Sequence, residues 1–508
     1  MIPNRVLWLA FLLVMLVLNG CYLHRSEESL HIAVAAAEIP QSLDPHHKPS
    51  AASRYVHAAI FDALTTIDEK GEVKPSLARS WKSLGPTTWE FKLRQGARFQ
   101  NGEGMNAQAV GFNIRRVLRP EFRAFFEEEL STLFRGNPLD PETIVISTRR
   151  PDPIFPRRLA SLYLVPPDYT TRVGDTKFGE QPVGTGPWAV KRFHRASELT
   201  LEAVRYSWRG RPQVRYIELR QDAEAAVRVE ALEQGMVEVA LGLPPSYRQA
   251  LSSRGFRVEE LPKSAARLII LDTTDDESPL VNAKVRQALN YAVDKQKLIS
   301  KVAGGGIPLD GQVVGKEANG YSDKVKTTYP YDLAEAQRLM DEAGYGDGFD
   351  LTIHYTKWPD DSERRELAEI ADDLAKIKVR VVPKGDNRAV HERRRAAGSL
   401  SPAFYDTFPY YPTQDAAQVM DWFGPVSTET FSPTYDFDEF EEIYKLSRTE
   451  QNPALRLQSL QVAMRILSEH PPAIFLYQPT EIHARQQRIL DFRALPSLLV
   501  DFDRINKQ

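Results

Sequence analysis

The sequence contains a single cysteine, Cys21, among its 508 residues. A lone thiol excludes an intrachain disulfide and a multi-cysteine metal cluster. The formal net charge is −3, so no excess of basic residues indicates a nucleic-acid partner. The sequence has neither a Gly-x-Ser-x-Gly turn nor a His-Glu-x-x-His pair. These absences argue against a disulfide scaffold, a serine hydrolase and a zinc peptidase, and we expect no resident metal and no cofactor.

The sequence also lacks an apolar run long enough to span a membrane comfortably. Near the N-terminus, Arg5 is followed by an apolar run from Val6 to Leu18, shorter than the about 20 residues of a membrane-spanning helix. Asn19, Gly20 and Cys21 follow it, the order of a lipoprotein export signal. Residues 1–21 are therefore predicted to be a signal peptide ending in a lipidated Cys21. The alternative is a plain transmembrane anchor. The lipid anchor would hold the protein outside the cytoplasm, in the periplasm or on the cell surface.

The remaining chain has the composition of a globular protein. It is 42% hydrophobic and 26% charged. Its length suffices for two or three domains of about 100–200 residues each. Short apolar or alternating runs predict β-strands at 31–37, 89–93, 143–148, 199–203 and 267–271.

Helical periodicity is clearest in the second half of the sequence. Asn282 precedes a stripe of apolar residues at helical spacing and has the chemistry of an N-cap. A second helix is predicted from Asp332 to a C-cap at Gly344, and a third over 455–468. Strands and helices mixed in this way predict an α/β fold rather than a bundle or a sandwich.

Six motifs occur in a consistent order along nearly the whole sequence after the signal. Together they make the chain resemble the solute-binding lipoproteins of peptide and nickel ABC importers, the extracellular family-5 type. The motifs are SLDPH at 42–46, PSLARSW at 75–81 with WEFKLRQG at 89–96 and FQNG at 99–102, GTGPW at 184–188, VRQALNYAVD at 285–294, YD to AGY over 331–345, and PPAIFLYQ at 471–478.

The resemblance implies an α/β fold like that of type II periplasmic binding proteins. Two α/β lobes would be joined by a hinge, and an additional subdomain would be inserted in the first lobe. Chain crossings near 268 and 479 would form the hinge, and the lobes would close around a ligand. The implied boundaries are 28–66, 185–268 and 480–508 for lobe I, 67–184 for the inserted subdomain, and 269–479 for lobe II.

The resemblance also implies a function. The protein would capture a peptide or peptide-like solute in the cleft between its lobes and deliver it to the permease subunits of an ABC importer. It would be a monomer and not an enzyme, with no nucleic-acid partner. A non-peptide solute, such as an oligosaccharide, an opine-like compound or a metal chelate, is one alternative. A ligand sensor or adhesin that has lost its permease is another, and a carboxylate-based hydrolase has only the surplus of acidic residues in its favour.

The first candidate ligand segment follows the SLDPH motif. In relatives this segment pairs with the main chain of the ligand as an added strand would. Here it consists of Pro49, Ser50, Ala51 and Ala52, followed by Ser53, and these small side chains would permit close approach of a ligand backbone. The alternative is a surface turn that precedes a helix over 54–64.

The second candidate segment is YDTFPYYPTQD at 405–415. Peptide binders of the family carry a Trp, then Asp-Tyr and a Pro-containing turn, and the aspartate pairs with the α-amino group of the ligand. Here Tyr410 stands where that aspartate should be, and a phenol does not supply its charge at neutral pH. The aromatic residues predict a cleft wall, with core packing on a buried strand as the alternative. The candidate ligand-binding residues are Phe408, Tyr410, Tyr411, Thr413 and Asp415.

Adjacent histidines raise one further possibility. His46 and His47 fit either ligation of a metal or a solvated turn beside Pro45. The other histidines are scattered and lack the spacing of metal ligands.

Overall fold

The computed structural model describes residues 31–47, 53–126, 129–309, 311–325, 328–358, 361–423, 437–495 and 500–508. Within those ranges, no helix combines the length and the apolar character that a membrane crossing requires. The predicted signal with Cys21 and the candidate segment from Pro49 to Ala52 lie outside the described residues.

Strands and helices alternate along the described chain. The strands are β1 His31–Ala36, β2 Thr65–Ile67, β3 Val73–Pro75, β4 Ala78–Gly85, β5 Thr88–Leu93, β6 Leu133–Asp140, β7 Thr143–Thr148, β8 Trp188–His194, β9 Glu198–Ala203, β10 Tyr216–Gln221, β11 Val239–Leu243, β12 Arg257–Pro262, β13 Ala265–Leu271, β14 Gly306–Pro308, β15 Asp350–Thr356, β16 Arg380–Asp386, β17 Ala403–Pro409, β18 Ala473–Arg485, β19 Ile489–Leu490, β20 Arg493–Ala494, β21 Val500–Asp501 and β22 Asn506–Lys507. The α-helices are α1 Ser53–Ile60, α2 Ala107–Val117, α3 Pro120–Arg123, α4 Phe155–Arg158, α5 Pro167–Glu180, α6 Ala225–Glu233, α7 Arg248–Ser253, α8 Ala283–Ala292, α9 Lys295–Leu298, α10 Leu333–Glu342, α11 Ser362–Leu374, α12 Arg388–Ala396, α13 Ala417–Met420, α14 Asp438–Thr449 and α15 Pro453–Glu469.

A large mixed sheet of twelve strands passes through both halves of the molecule. Its order is β16-β15-β17-β13-β18-β11-β1-β10-β9-β8, and β12 and β14 also pair with β18. The first residues of β18 pair with β13, and its last residues pair with β11 and β12. The long strand β18 therefore joins two halves of one sheet. We call the half with β1 and β8–β12 the first lobe and the half with β13–β17 the second lobe.

The first lobe is built on parallel strands. β1 pairs in parallel with β10 on one side and with β11 on the other. Ile32 and Val34 of β1 pack into one apolar core, whereas Ala33 and Ala35 pack into another. Burial on both faces explains the nearly continuous apolar sequence of β1.

A separate antiparallel sheet, in the order β4-β5-β7-β6, lies between the elements of the first lobe in sequence. Phe91 of β5, Ile144 of β7 and Ile114 of α2 belong to its apolar core. These strands fall inside the segment predicted as an inserted subdomain. The boundaries of that subdomain and of the lobes stay a prediction.

The second lobe has two apolar cores, one on each face of its sheet. β15 pairs in parallel with β16 and β17, and β13 is antiparallel to β17. Leu268 and Phe404 pack into the core on one face, and Ile269 and Tyr405 pack into the core on the other. This alternation fixes the register of the central strands.

Several predicted elements are confirmed with small shifts at their ends. The side chain of Asn282 accepts a hydrogen bond from the backbone N–H of Lys284 (2.9 Å) at the start of α8. Asp332 accepts one from the N–H of Glu335 (3.0 Å) at the start of α10. The predicted helix over 455–468 corresponds to α15, which begins at Pro453.

His46 corrects the expectation of a solvated turn. Its ring is fully buried, whereas His47 is exposed. Nη1 of Arg116 lies 2.6 Å from Nδ1 of His46, and the carbonyl of Tyr163 lies 2.8 Å from Nε2. Burial, together with the charge of Arg116, lowers the pKa of His46 to about 4. Within the described ranges, no group of three or more His, Cys, Asp or Glu is arranged to hold a metal ion.

Candidate functional site

The carboxyl ends of parallel strands place several polar segments at one edge of the second lobe. In the second lobe, β15, β16 and β17 end at Thr356, Asp386 and Pro409 on the same edge. Asn387 then caps α12, accepting a hydrogen bond from the N–H of Val390 (3.0 Å). Ligands of open α/β sheets bind outside the carboxyl ends of the strands. The segment that follows β17 therefore lies where a ligand would bind, and we call residues 410–415 the β17 loop.

The β17 loop contacts the first part of the chain directly. The guanidinium of Arg54, in α1, stacks on the ring of Tyr411 with 4.3 Å to the ring centroid. Nη1 of Arg157, in α4, donates to the carbonyl of Thr413 (2.6 Å). Arg54 follows the candidate segment 49–52 by two residues. The fold therefore brings residues next to both candidate segments into contact.

Beside this contact lies a cavity of ≈ 170 Å³. Pro412 of the β17 loop forms part of its wall. The rest of the wall combines aromatic rings with charges of both signs, from Arg54, His57, Phe61, Asp62, Phe126, Glu129, Tyr163, Trp208 and Arg209. Such a mixture suits a small polar ligand group with an apolar part.

One carboxylate in this wall is fully paired. Oδ2 of Asp62 accepts hydrogen bonds from Nε1 of Trp208 (2.9 Å) and Oγ1 of Thr185 (2.7 Å). Nη1 of Arg209 lies 3.2 Å from Oδ1 of Asp62. Asp62 therefore orders the wall of the cavity and has little capacity left for a ligand.

Three cavity residues have a buried side-chain nitrogen without a hydrogen-bond partner among the described residues, and one of them, Nε of Arg209, still lies 3.2 Å from Oδ2 of Asp503. Nε of Arg54 and Nε2 of His57 are buried and have no hydrogen-bond partner in the part of the chain that the structure describes. The nearest carboxylate to Arg54 is Glu129, at 3.6 Å. Burial lowers the pKa of His57 to about 3, so its ring is neutral at physiological pH. Unsatisfied buried polar nitrogens of this kind indicate places where a ligand or water can bind.

Phe408 and Tyr410 lie in the apolar core of the second lobe, and both are fully buried. The Oη of Tyr410 accepts a hydrogen bond from the N–H of Gly315 (3.1 Å) and donates one to Oε1 of Glu317 (2.6 Å). Nε2 of Gln478 lies 2.9 Å from the same oxygen. Burial and the neighbouring carboxylate raise the pKa of Tyr410, which keeps the phenol protonated and able to donate.

Asp415 is held by a buried ion pair. Its two oxygens accept hydrogen bonds from the two Nη atoms of Arg456, each at 2.8 Å. Nδ2 of Asn319 (2.7 Å) and the N–H of Ala417 (3.1 Å) complete its set of donors. Although burial opposes ionisation, Arg456 holds the pKa of Asp415 well below its usual range. Asp415 is therefore charged and fully occupied by the protein itself.

The sequence-predicted residues thus separate into groups. Tyr411 and Thr413 contact the first part of the chain, whereas Phe408, Tyr410 and Asp415 lie inside the second lobe. Sequence reasoning missed Arg54, Arg157 and Glu317. No sequence motif around Glu317 indicated a functional residue. The sequence shows there only two adjacent charged residues, Lys316 and Glu317, in a loop that contains glycine.

Residues 72–427 match the sequence profile described as "Bacterial extracellular solute-binding proteins, family 5 Middle". This range covers more than half of the chain and includes the inserted sheet, the β17 loop and Glu317.

Curated relatives show the same likeness at moderate identity. The glutathione-binding protein GsiB of Salmonella typhi is 29% identical over 329 residues, which are 63% of this chain and 63% of that protein. The chain thus matches somewhat less than two thirds of the length of that relative. The GsiB of Escherichia coli (strain K12) is 25% identical over 498 residues, which are 94% of each chain.

Solved structures show the same fold. HbpA2 from Haemophilus parasuis superposes with a TM-score of 0.85 at 22% identity, over 94% of this chain and 100% of that chain. DppA from Helicobacter pylori, in complex with the peptide STSA, superposes with a TM-score of 0.73 at 19% identity. The match covers 94% of this chain and 98% of that chain. AgaA from A. tumefacien R10, in complex with agropinic acid, superposes with a TM-score of 0.72 at 21% identity. The match covers 94% of this chain and 99% of that chain. The predicted α/β fold of the type II periplasmic-binding-protein kind is confirmed.

Proposed function

Because the chain belongs to the bacterial extracellular solute-binding proteins of family 5, we propose that it captures a peptide or peptide-like solute between its lobes and delivers it to an ABC importer. Proteins of this family are extracytoplasmic, transport-associated binders and not enzymes. The observation that carries the proposal is the family match over 72–427, which spans the β17 loop where the lobes meet.

The geometry of the lobe junction supports a cleft as the binding site. The carboxyl ends of β15, β16 and β17 lie on the side from which the β17 loop reaches Arg54 and Arg157. A cavity with aromatic walls and buried unpaired donors adjoins this contact. A solute with a polar backbone and a side group of moderate size suits these features.

The proposed motion is a closure of the two lobes. The main chain crosses between them in β18 and near residues 262–265, where β12 ends and β13 begins. A ligand stabilises the closed form only to the extent that it binds that form better than the open one. The proposed hinge therefore lies at these crossings, and the domain boundaries near 268 and 479 stay a prediction.

The proposed anchor is a lipid on Cys21. It rests on the order of charge, short apolar run and small residues in 1–21. Metabolic labelling with a tritiated fatty acid tests it, with Cys21→Ser as the control. Label retained by the Cys21→Ser variant would contradict the anchor without affecting the proposed solute-binding function.

A non-peptide solute is the second candidate. Tyr410 replaces the expected aspartate, and Asp415 is fully occupied by Arg456, so neither supplies the usual partner for a peptide amino group. The structural likeness to AgaA, which was solved with agropinic acid, is in keeping with this candidate.

Native mass spectrometry of the protein purified from cells grown in rich medium tests these candidates. A series of adducts with peptide masses would support the peptide class. A single discrete adduct of another composition would favour a specialised solute. If no adduct is present, titration with glutathione and with a tripeptide pool decides the question, and lack of binding to both would contradict the peptide class.

A further inference from the structure

We propose that Glu317 binds the primary ammonium group of the solute and so replaces the aspartate that is missing at position 410. This inference rests on the proposed function, because it concerns the same cleft. It narrows the solute class to peptides and related compounds that carry a free amino group.

Glu317 lies where the lobes meet. Its carbonyl oxygen packs against Gly71, and a Cβ at that glycine would lie only 2.8 Å from it. Gly71 has a φ of +72°, so both its conformation and this close approach favour glycine. Nε2 of Gln478 reaches both Oε1 of Glu317 (2.5 Å) and the carbonyl of Lys263 (2.9 Å). Lys263 belongs to the crossing between β12 and β13, so Gln478 links the carboxylate of Glu317 to the proposed hinge.

The carboxylate of Glu317 is only half satisfied by the protein. Oε1 accepts hydrogen bonds from Tyr410 and Gln478, and both of these donors are neutral. In the part of the chain that the structure describes, Oε2 has no hydrogen-bond partner and no Lys, Arg or His nitrogen lies within 4.0 Å of the carboxylate. A partly exposed carboxylate with one free oxygen can accept charge-assisted hydrogen bonds from a cation of the solute.

Lys263, Arg157 and Arg456 are already engaged with other partners. Lys263 pairs with Glu481 at 3.0 Å. Arg157 donates to the carbonyl of Thr413, and Arg456 is bound to Asp415. An ammonium group from a solute suits this position, because its N–H groups would form charge-assisted hydrogen bonds with the free oxygen.

Tyr410 acquires a role as a positioning residue. Its side chain is fully buried, so it does not offer a surface to the solute. Its Oη, itself fixed by the N–H of Gly315, donates to Oε1 and orients Glu317. A Cβ at Gly315 would lie 2.2 Å from Oε1 of Gln478, which explains why glycine stands at this position. The residue that occupies the usual aspartate position thus supports a carboxylate that comes from another loop.

The test compares two peptide pools that differ only at the amino terminus. One pool contains tripeptides with free amino groups, and the other contains the same tripeptides after N-acetylation. Binding of both pools is measured by calorimetry and by mass spectrometry for the wild-type protein, Glu317→Gln, Tyr410→Phe and the surface control Glu342→Gln. Glu342 is exposed on α10 and pairs with Lys284, away from the β17 loop.

We expect the wild-type protein to prefer the free pool. Glu317→Gln should lose about tenfold in affinity for that pool and little for the acetylated pool, since one charge-assisted contact is removed. Tyr410→Phe should lose part of the same preference, and Glu342→Gln should behave as the wild type. An unchanged ratio in Glu317→Gln, or an equal loss for both pools, would overturn the inference. If neither pool binds the wild-type protein, the peptide class of solute is wrong, and this inference with it.

Discussion

Two carboxylates in the second lobe differ in how much of their hydrogen-bonding capacity the protein fills. Asp415 is fully buried and receives two N–H groups from Arg456, one from Asn319 and one from a backbone amide. Glu317 is half-buried, and among the described residues it accepts hydrogen bonds on Oε1 from two neutral donors and none on Oε2. The first arrangement is typical of a structural ion pair, and the second leaves a binding site. The comparison shows that the role of an acidic residue is better judged from the hydrogen-bonding capacity that the protein leaves unused than from the place of the residue in a motif.

Breaking the Asp415–Arg456 pair should have the largest effect. Asp415→Asn leaves a buried guanidinium without its counter-charge, so we expect a loss of about 3–5 kcal/mol in the free energy of unfolding. Urea denaturation followed by circular dichroism measures it. A loss below about 1 kcal/mol would show that the pair does not stabilise the second lobe.

A buried histidine in the first lobe gives a second strong effect, through pH. His46 is neutral in the folded protein because its pKa is lowered to about 4, whereas in the unfolded chain it titrates near the ordinary value of about 6.5. The unfolded state therefore binds more protons below pH 6.5, and the stability falls as the pH drops from about 6.5 towards 4. At pH 4.5 the loss from this group should be about 2–3 kcal/mol.

The control for this effect is His46→Gln, measured by urea denaturation at pH 7.5, 6.0 and 4.5. The variant is less stable at pH 7.5 if the contact with Arg116 matters, but its loss on acidification should be about 2 kcal/mol smaller. His57, whose pKa is lowered to about 3, contributes in the same direction and is unaffected by the change. An identical acid sensitivity in both proteins would exclude His46 as the cause.

Removing the charge of Glu317 should affect stability far less than removing that of Asp415. Glu317 is partly exposed and has no cationic partner among the described residues, so Glu317→Gln should change the free energy of unfolding by less than about 1 kcal/mol. Thermal unfolding of the unliganded protein measures it. A large destabilisation would place Glu317 with Asp415 as a structural residue.

The smallest expected effect concerns the stacking of Arg54 on Tyr411. This contact joins α1 to the β17 loop, and a cation–π contact at a partly exposed site contributes about 0.5–1 kcal/mol. Tyr411→Leu should therefore barely change the unfolding midpoint, but it should alter the affinity for solute because the lobes meet there. Equal affinity of the wild type and the variant for the same peptide pool would show that this contact is outside the binding site.

Local sequence patterns predicted much of the fold. The helical stripe after Asn282 and the alternation in 143–148 depend on contacts within one element, and both agree with the structure. The site depended on contacts between residues far apart in sequence. Tyr410 meets Glu317 across 93 positions, and Asp415 meets Arg456 across 41. The periodicity of a sequence does not predict contacts between residues so far apart. The motif at 405–415 therefore located the region of the site but did not identify Glu317, whose carboxylate has no cationic partner among the described residues.

The strand β18 has a mechanical consequence for the cleft. It runs without a break from Ala473 in the second lobe to Arg485 in the first, so a rotation of the lobes must be absorbed as torsion within it. Pro479 lies near its middle and has no N–H to donate to a ladder, so the strand lacks one possible hydrogen bond there. Gln478, the next residue, holds Oε1 of Glu317. We therefore expect a change of twist in β18 to reorient the carboxylate of Glu317. The angle between the lobes and the orientation of this carboxylate towards the ammonium group of the solute would then change together.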